Sequence, residues 1–165
     1  MATGDPIISF TAAHGSPTTT NPATFDQTAA NVLVLDFDDF TSESAVFFGV
    51  MSGGYDGTSS IDVEIGWKFT TKSGSQTCDW EASWCRVNDD GQSIESLTYA
   101  SAQAVLGTDA GTAGELSYDA ITFTNAQADG IQPNEFFDLK ITRDATGGTA
   151  SPGDAELAFV NVMLA

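Results

Sequence analysis

The sequence predicts an all-β fold, an antiparallel two-sheet sandwich. Three observations carry this. Short segments alternate apolar and polar residues from Asn31 to the last residue. Ile61-Asp62-Val63-Glu64-Ile65-Gly66-Trp67-Lys68-Phe69 is the clearest of them. Its alternate side chains are mostly large and apolar, which is the period of a strand with one dry and one wet face. The segments are separated by turn chemistry at 52–57, 88–91, 109–114 and 146–148, where Gly, Asp, Asn and Ser tolerate positive φ. No convincing helical period lies between them.

Taken in order, the strands read as 31–37, 45–51, 61–70, 77–87, part of 94–106, 117–124, 135–142 and 155–164. Residues 96–106 could instead hold one helical turn. In 77–87, Cys78, Trp80, Ala82 and Trp84 share a face opposite Asp79, Glu81 and Ser83. In 136–142, Phe137, Leu139 and Ile141 oppose Asp138 and Lys140. Val63, Ile65, Trp67, Trp80, Trp84, Leu139 and Ile141 are therefore the expected core, and the Trp residues are expected there rather than on a ligand platform.

Two segments are apolar on both faces, 45–51 and 157–164. A strand of that kind needs cover on both sides. A loop, the N-terminal segment or another subunit can supply it. The candidate interface residues are Phe47, Phe48, Val50, Phe159, Val160 and Val162. Residues 1–30 differ from the rest: they carry Pro6, Pro17 and Pro22 and a Thr run at 18–20. Proline fixes φ and cannot donate to a ladder, so an extended N-terminal arm is expected, with the sandwich domain over 31–165. It is either a loose terminus or an arm that docks on a neighbour through Ile7, Ile8 and Phe10.

At 165 residues the chain suits one domain with a real core, and its 11 Phe argue against disorder. Five Lys and Arg against 23 Asp and Glu give a formal net charge of -18, which repels nucleic acid and anionic membranes alike. The acidity serves solubility or a saline habitat. Cys78 and Cys85 sit on opposite faces of one strand, about 23 Å apart if extended, so they cannot pair. No signal peptide or membrane span is expected.

No constellation for catalysis emerges. His14 is the one histidine and lacks a partnered nucleophile. Abundant acids make any chosen carboxylate pair uninformative. Asp36, Asp38 and Asp39 cluster, as do Asn88, Asp89 and Asp90 before Gly91, but neither matches a calcium-loop spacing. The expectation is a non-enzymatic protein with no cofactor and no metal.

The stretches Asn21-Pro22-Ala23-Thr24-Phe25-Asp26, Val34-Leu35-Asp36-Phe37-Asp38-Asp39 and Phe47-Phe48-Gly49-Val50-Met51 carry a resemblance. So do 137–145 and 153–157. Together they resemble small jelly-roll virion proteins of tailed bacteriophages, over most of 21–160. The resemblance implies a jelly-roll-like sandwich and a virion setting. It implies a homotrimeric capsid decoration (cement) protein on the outer capsid surface, assembled in the host cytoplasm, with itself and the major capsid protein as partners. The arm residues Ile7, Ile8 and Phe10 would then attach to the capsid. The alternative is a receptor- or glycan-binding module of a tail fibre, which needs exposed aromatics.

Overall fold

The structure is a computed structural model. It describes residues 2–71, 76–88, 93–112, 114–146 and 153–165. The expected turns at 88–91 and 146–148, and with them Asp89 and Asp90, fall largely outside the described residues.

The strands are β1 (Pro6–Thr11), β2 (Gly15–Pro17), β3 (Thr24–Gln27), β4 (Leu33–Phe37), β5 (Glu43–Val50) and β6 (Ile61–Phe69). They continue with β7 (Thr77–Val87), β8 (Gln103–Thr108), β9 (Ser117–Phe123), β10 (Phe136–Arg143) and β11 (Ala155–Leu164). A single 3-10 turn, Ala12–His14, joins β1 to β2. One sheet has six strands in the order β3-β4-β11-β6-β9, with β1 also paired to β11; the other has five, β2-β5-β10-β7-β8. Every ladder between these strands is antiparallel.

Alternation sorts the side chains between the sheets as expected. Val63, Ile65, Trp67, Trp80, Trp84, Leu139 and Ile141 are all 0% exposed. The rings interlock edge to face: Phe37 on Trp80 with centroids 5.1 Å apart, Trp67 on Trp80 at 5.9 Å. Trp67 Nε1 donates to Asp119 Oδ2 at 2.7 Å, so the indole is buried with its polar atom satisfied. Neither cysteine forms a disulfide, and both are buried. The 96–106 segment holds no helix; its strand begins at Gln103.

The N-terminal arm is corrected. β1 pairs with β11 in one sheet, and β2 pairs with β5 in the other, so the segment belongs to the sandwich. Phe10 is 4% exposed in the core, against Phe47 and Phe137. Ile7 and Ile8 are half-buried against the same cluster. Gly49 makes the room: a Cβ there would lie 2.7 Å from the Phe137 ring and 3.1 Å from Ile8 and Phe10. Short strands between prolines still gain ladder bonds and core burial, which outweigh weak local propensity.

Candidate functional site

The outer face of the five-stranded sheet is built in rungs across β5, β10 and β7. Register places Ser44, Thr142 and Glu81 side by side, then Val46, Lys140 and Ser83. The next rungs are Phe48, Asp138 and Cys85, then Val50, Phe136 and Val87. The face therefore passes from hydroxyls and charges at one end to aromatic and aliphatic groups at the other.

The polar end is a groove of about 450 Å³. Its floor is Ser44, Thr142, Lys140, Glu81 and Ser83, and its walls are Thr20, Asn21 and Ser42 on one side and Tyr99, Ala100 and Ala102 on the other. Asn21 holds its wall in the left-handed region, φ 46°, which Asn tolerates better than most residues. The opposite wall is tied down twice. Ala100 N donates to Trp84 O at 2.8 Å, and the Tyr99 hydroxyl donates to Asp138 Oδ2 at 2.6 Å. The Lys140 ammonium sits 4.4 Å from the Tyr99 ring centroid, a cation–π contact that keeps the ring upright beside the floor.

Electrostatics at the floor follow from burial. Asp138 is 2% exposed, and burial raises its pKa against the opposing pull of the Tyr99 hydrogen bond and Lys140. The Tyr99 phenol is raised too, by burial and by that carboxylate, so Tyr99 stays neutral. Glu81 is raised by burial and by Asp144 and Asp79, and lowered by Lys140.

At the apolar end, Phe48 and Phe136 stack with centroids 6.0 Å apart and planes at 14°. They are 44% and 36% exposed. Beyond them lies a hollow of about 490 Å³ lined by Val87, Asn88, Asn134, Glu135 and Phe136.

The residues expected at a subunit interface are not brought together. Phe47, Val160 and Val162 are 0% exposed and face the core, which corrects their assignment. Phe48 and Val50 lie on the five-stranded sheet and Phe159 on the six-stranded one. The expected capsid anchors Ile7, Ile8 and Phe10 pack within their own sandwich. His14 accepts from Thr11 N through Nδ1 at 3.1 Å and so caps the 3-10 turn. Burial pushes the Cys78 thiol up to about 12 and raises Cys85, so neither supplies a ready thiolate.

Asp38, Asp39 and Asp154 have carboxylate oxygens close enough to share a cation. Each already accepts backbone N–H groups: Asp38 from Phe40 and Thr41, Asp39 from Gly153, Asp154 from Asp39. Those bonds account for the cluster as loop chemistry. Asp36 stands nearby, raised to about 6 by burial and by Asp154 and Glu156.

Sequence reasoning missed Tyr99 and Phe136. Phe136-Phe137 and Phe47-Phe48 are doublets within strands, and a strand sends one member of a doublet outward. That signal was available. The Tyr99–Asp138 contact joins residues 39 apart and had none.

No family model matches the chain, and no curated protein matches it. Solved structures do match. A CBM22-1 xylan-binding domain of Paenibacillus barcinonensis Xyn10C aligns over 99% of this chain and 97% of its own, at 11% identity and TM-score 0.53. A family 16 carbohydrate-binding module aligns over 96% and 99%, at 16% identity and TM-score 0.51. The CBM22-1–GH10 segment of Clostridium thermocellum xylanase 10B, solved with xylohexaose, aligns over 96% of this chain and 28% of its own, at 12% identity and TM-score 0.51. This chain is a jelly-roll β-sandwich. At these identities the likeness is one of fold; the first two neighbours are carbohydrate-binding modules and the third contains one beside a GH10 module.

Proposed function

We propose that this chain is a non-catalytic carbohydrate-binding module that takes an uncharged glycan along the outer face of its five-stranded sheet. The observation that carries this is the groove with its aromatic extension. A sugar ring presents C–H groups on its faces and hydroxyls at its edge. Tyr99 and the Phe48–Phe136 pair offer rings to the first, through dispersion and the polarisable π face. Ser44, Ser83, Thr142, Asn21, Glu81 and Lys140 offer donors and acceptors to the second. A few convergent polar groups beside apolar walls is the usual build of a small-ligand site.

Charge narrows the ligand. Glu81 lines the groove; burial and then the nearby Asp144 and Asp79 raise its pKa, and burial and Asp144 raise that of Asp79. Among the described residues lining the groove, Lys140 is the one cation. Anionic polysaccharides would meet this field unfavourably, on top of a chain charge of -18. The fold neighbours support the reading, since one binds xylan by its description and another was solved with xylohexaose.

The Ser44 and Thr142 hydroxyls on the groove floor are hydrogen-bonded to each other at 2.8 Å, which suits a non-catalytic role. Capsid decoration draws no support from the neighbours, and its expected anchors are engaged in the sandwich. The resemblance to tailed-phage jelly-roll proteins would set a glycan-binding module on the virion exterior, in a fibre. Electrophoresis through gels containing soluble xylan, mixed-linkage glucan, glucomannan or polygalacturonate tests the reading. Retardation by a neutral polysaccharide and not by polygalacturonate is expected; free migration in every gel would contradict it.

A further inference from the structure

We infer that the opposite face, the outer face of the six-stranded sheet, carries a second glycan-binding surface centred on Tyr118 and Phe159. The inference rests on the reading of the chain as a carbohydrate-binding module.

The surface is built on a register. Tyr118, Gly66 and Phe159 stand side by side on β9, β6 and β11. Alternation alone would turn Phe159 inward, in phase with Leu157. A bulge between Leu157 and Phe159 shifts the phase, so that Leu157 and Val160 are buried in the core while Phe159 is turned out. Re-aiming a side chain is what a bulge does. Gly66 completes the arrangement: a Cβ there would meet Phe159 Cε1 at 2.0 Å. The ring therefore rests against bare backbone. Tyr118, 59% exposed, lies beside it with ring centroids 5.4 Å apart.

Polar groups flank the rings. In the next rung Asn161 Nδ2 donates to Glu64 Oε1 at 2.9 Å, and beyond it Thr122 Oγ1 donates to Asp62 Oδ1 at 2.6 Å. On the other side Lys68 pairs with Glu156. There a cleft of about 420 Å³ opens, lined by Val32, Val34, Leu116, Ala158 and Lys68 among others. Rings with carboxylate, amide and hydroxyl groups beside them repeat the chemistry of the five-stranded face.

Charge chooses the occupant. Asp62, Glu64 and Glu156 lie on this face, and its cation Lys68 is already paired. A second copy, at -18, would bring like charge against it; nucleic acid and anionic lipid would too. A neutral glycan meets no such repulsion. With sites on opposite faces, one molecule engages two glycan chains and gains avidity on a polysaccharide.

Calorimetric titration with xylohexaose, cellohexaose and mannohexaose tests this on the wild type, Tyr99→Ala, Tyr118→Ala and the double variant. Thermal melting verifies that each is folded. The expected result with the hexasaccharide that binds is two chains per protein for the wild type, one for each single variant and none for the double. Tyr118→Phe should keep the wild-type stoichiometry. Unchanged stoichiometry and affinity in Tyr118→Ala, with binding lost in Tyr99→Ala, would overturn the inference and leave the five-stranded site standing. Loss in Tyr118→Ala alone would uphold this surface and reject the other. No binding of any hexasaccharide by the wild type would reject the underlying reading. A dimer in sedimentation that Tyr118→Ala abolishes would assign the face to a second copy and overturn the inference.

Discussion

The Tyr99 hydroxyl donates to Asp138 Oδ2 at 2.6 Å, and this bond fastens the segment before β8 to the middle of the five-stranded sheet. Asp138 is buried, and its Oδ1 has no hydrogen-bond partner among the described residues. Tyr99 and Lys140 are thus the groups that offset its charge. The pair fixes a ring that would otherwise swing with its loop.

Removing the acceptor should release the ring. Asp138→Leu is expected to weaken glycan binding at least tenfold, about 1.4 kcal/mol. Stability should change less, because a buried carboxylate's desolvation penalty is removed with it. Titration calorimetry and thermal melting separate the two effects. Asp138→Asn keeps an acceptor for the hydroxyl and should recover most of the affinity.

The N-terminal strands should be indispensable to the fold. A chain lacking residues 1–24 loses β1 and β2, uncovers Phe47 and Phe137 and opens an edge in each sheet. It is expected to lose its near-ultraviolet dichroism and cooperative melting. Phe10→Ala alone should cost about 3–5 kcal/mol in denaturant unfolding, as large-to-small core changes do. A truncated chain that melts like the intact one would restore the picture of a detachable arm.

The Asp36 carboxyl gives stability a pH signature. Its folded pKa is raised from 3.8 to about 6 by burial and by Asp154, Glu156, Asp26 and Glu43. A raised carboxyl pKa means the folded state holds the proton more tightly. The stability it supplies is therefore present below the unfolded pKa and is lost as pH rises through about 6. Asp36→Asn should raise the melting temperature at pH 7–8, and the gain should fade between pH 6 and pH 4. A gain that is equal at both ends would refute the assignment.

Much of the fold was legible in the residues because alternation has a period of two and the core is large and aromatic. Trp67, Trp80 and Trp84 fell where that period put them. Two features were not legible. The N-terminal prolines masked short strands that exist through ladders to β5 and β11, far away in sequence. The run from Leu157 to Leu164 looked apolar on both faces, and a subunit interface was one explanation. A bulge at Ala158 changes the phase within the run, so Leu157, Val160 and Val162 point in and Phe159 points out. The candidate site was less legible. Its floor lies on read strands, but its walls, Thr20-Asn21 and Tyr99-Ala100, are loops placed by tertiary contacts.

The core and the surface rings should separate in their effects. Trp80→Ala is expected to cost about 3–5 kcal/mol of stability. Phe136→Ala, at a ring 36% exposed, should change stability much less and weaken glycan binding. Equal stability losses would mean that the Phe48–Phe136 pair is structural.

The most direct test of the central claim is amide chemical-shift mapping of the labelled protein during titration with a hexasaccharide that retards it in gels. The shifts on the five-stranded face are expected to fall on Ser44, Ser83, Tyr99, Phe136, Lys140 and Thr142, and to vanish from that face in Tyr99→Ala. Saturating glycan that leaves all six amides unmoved would contradict it.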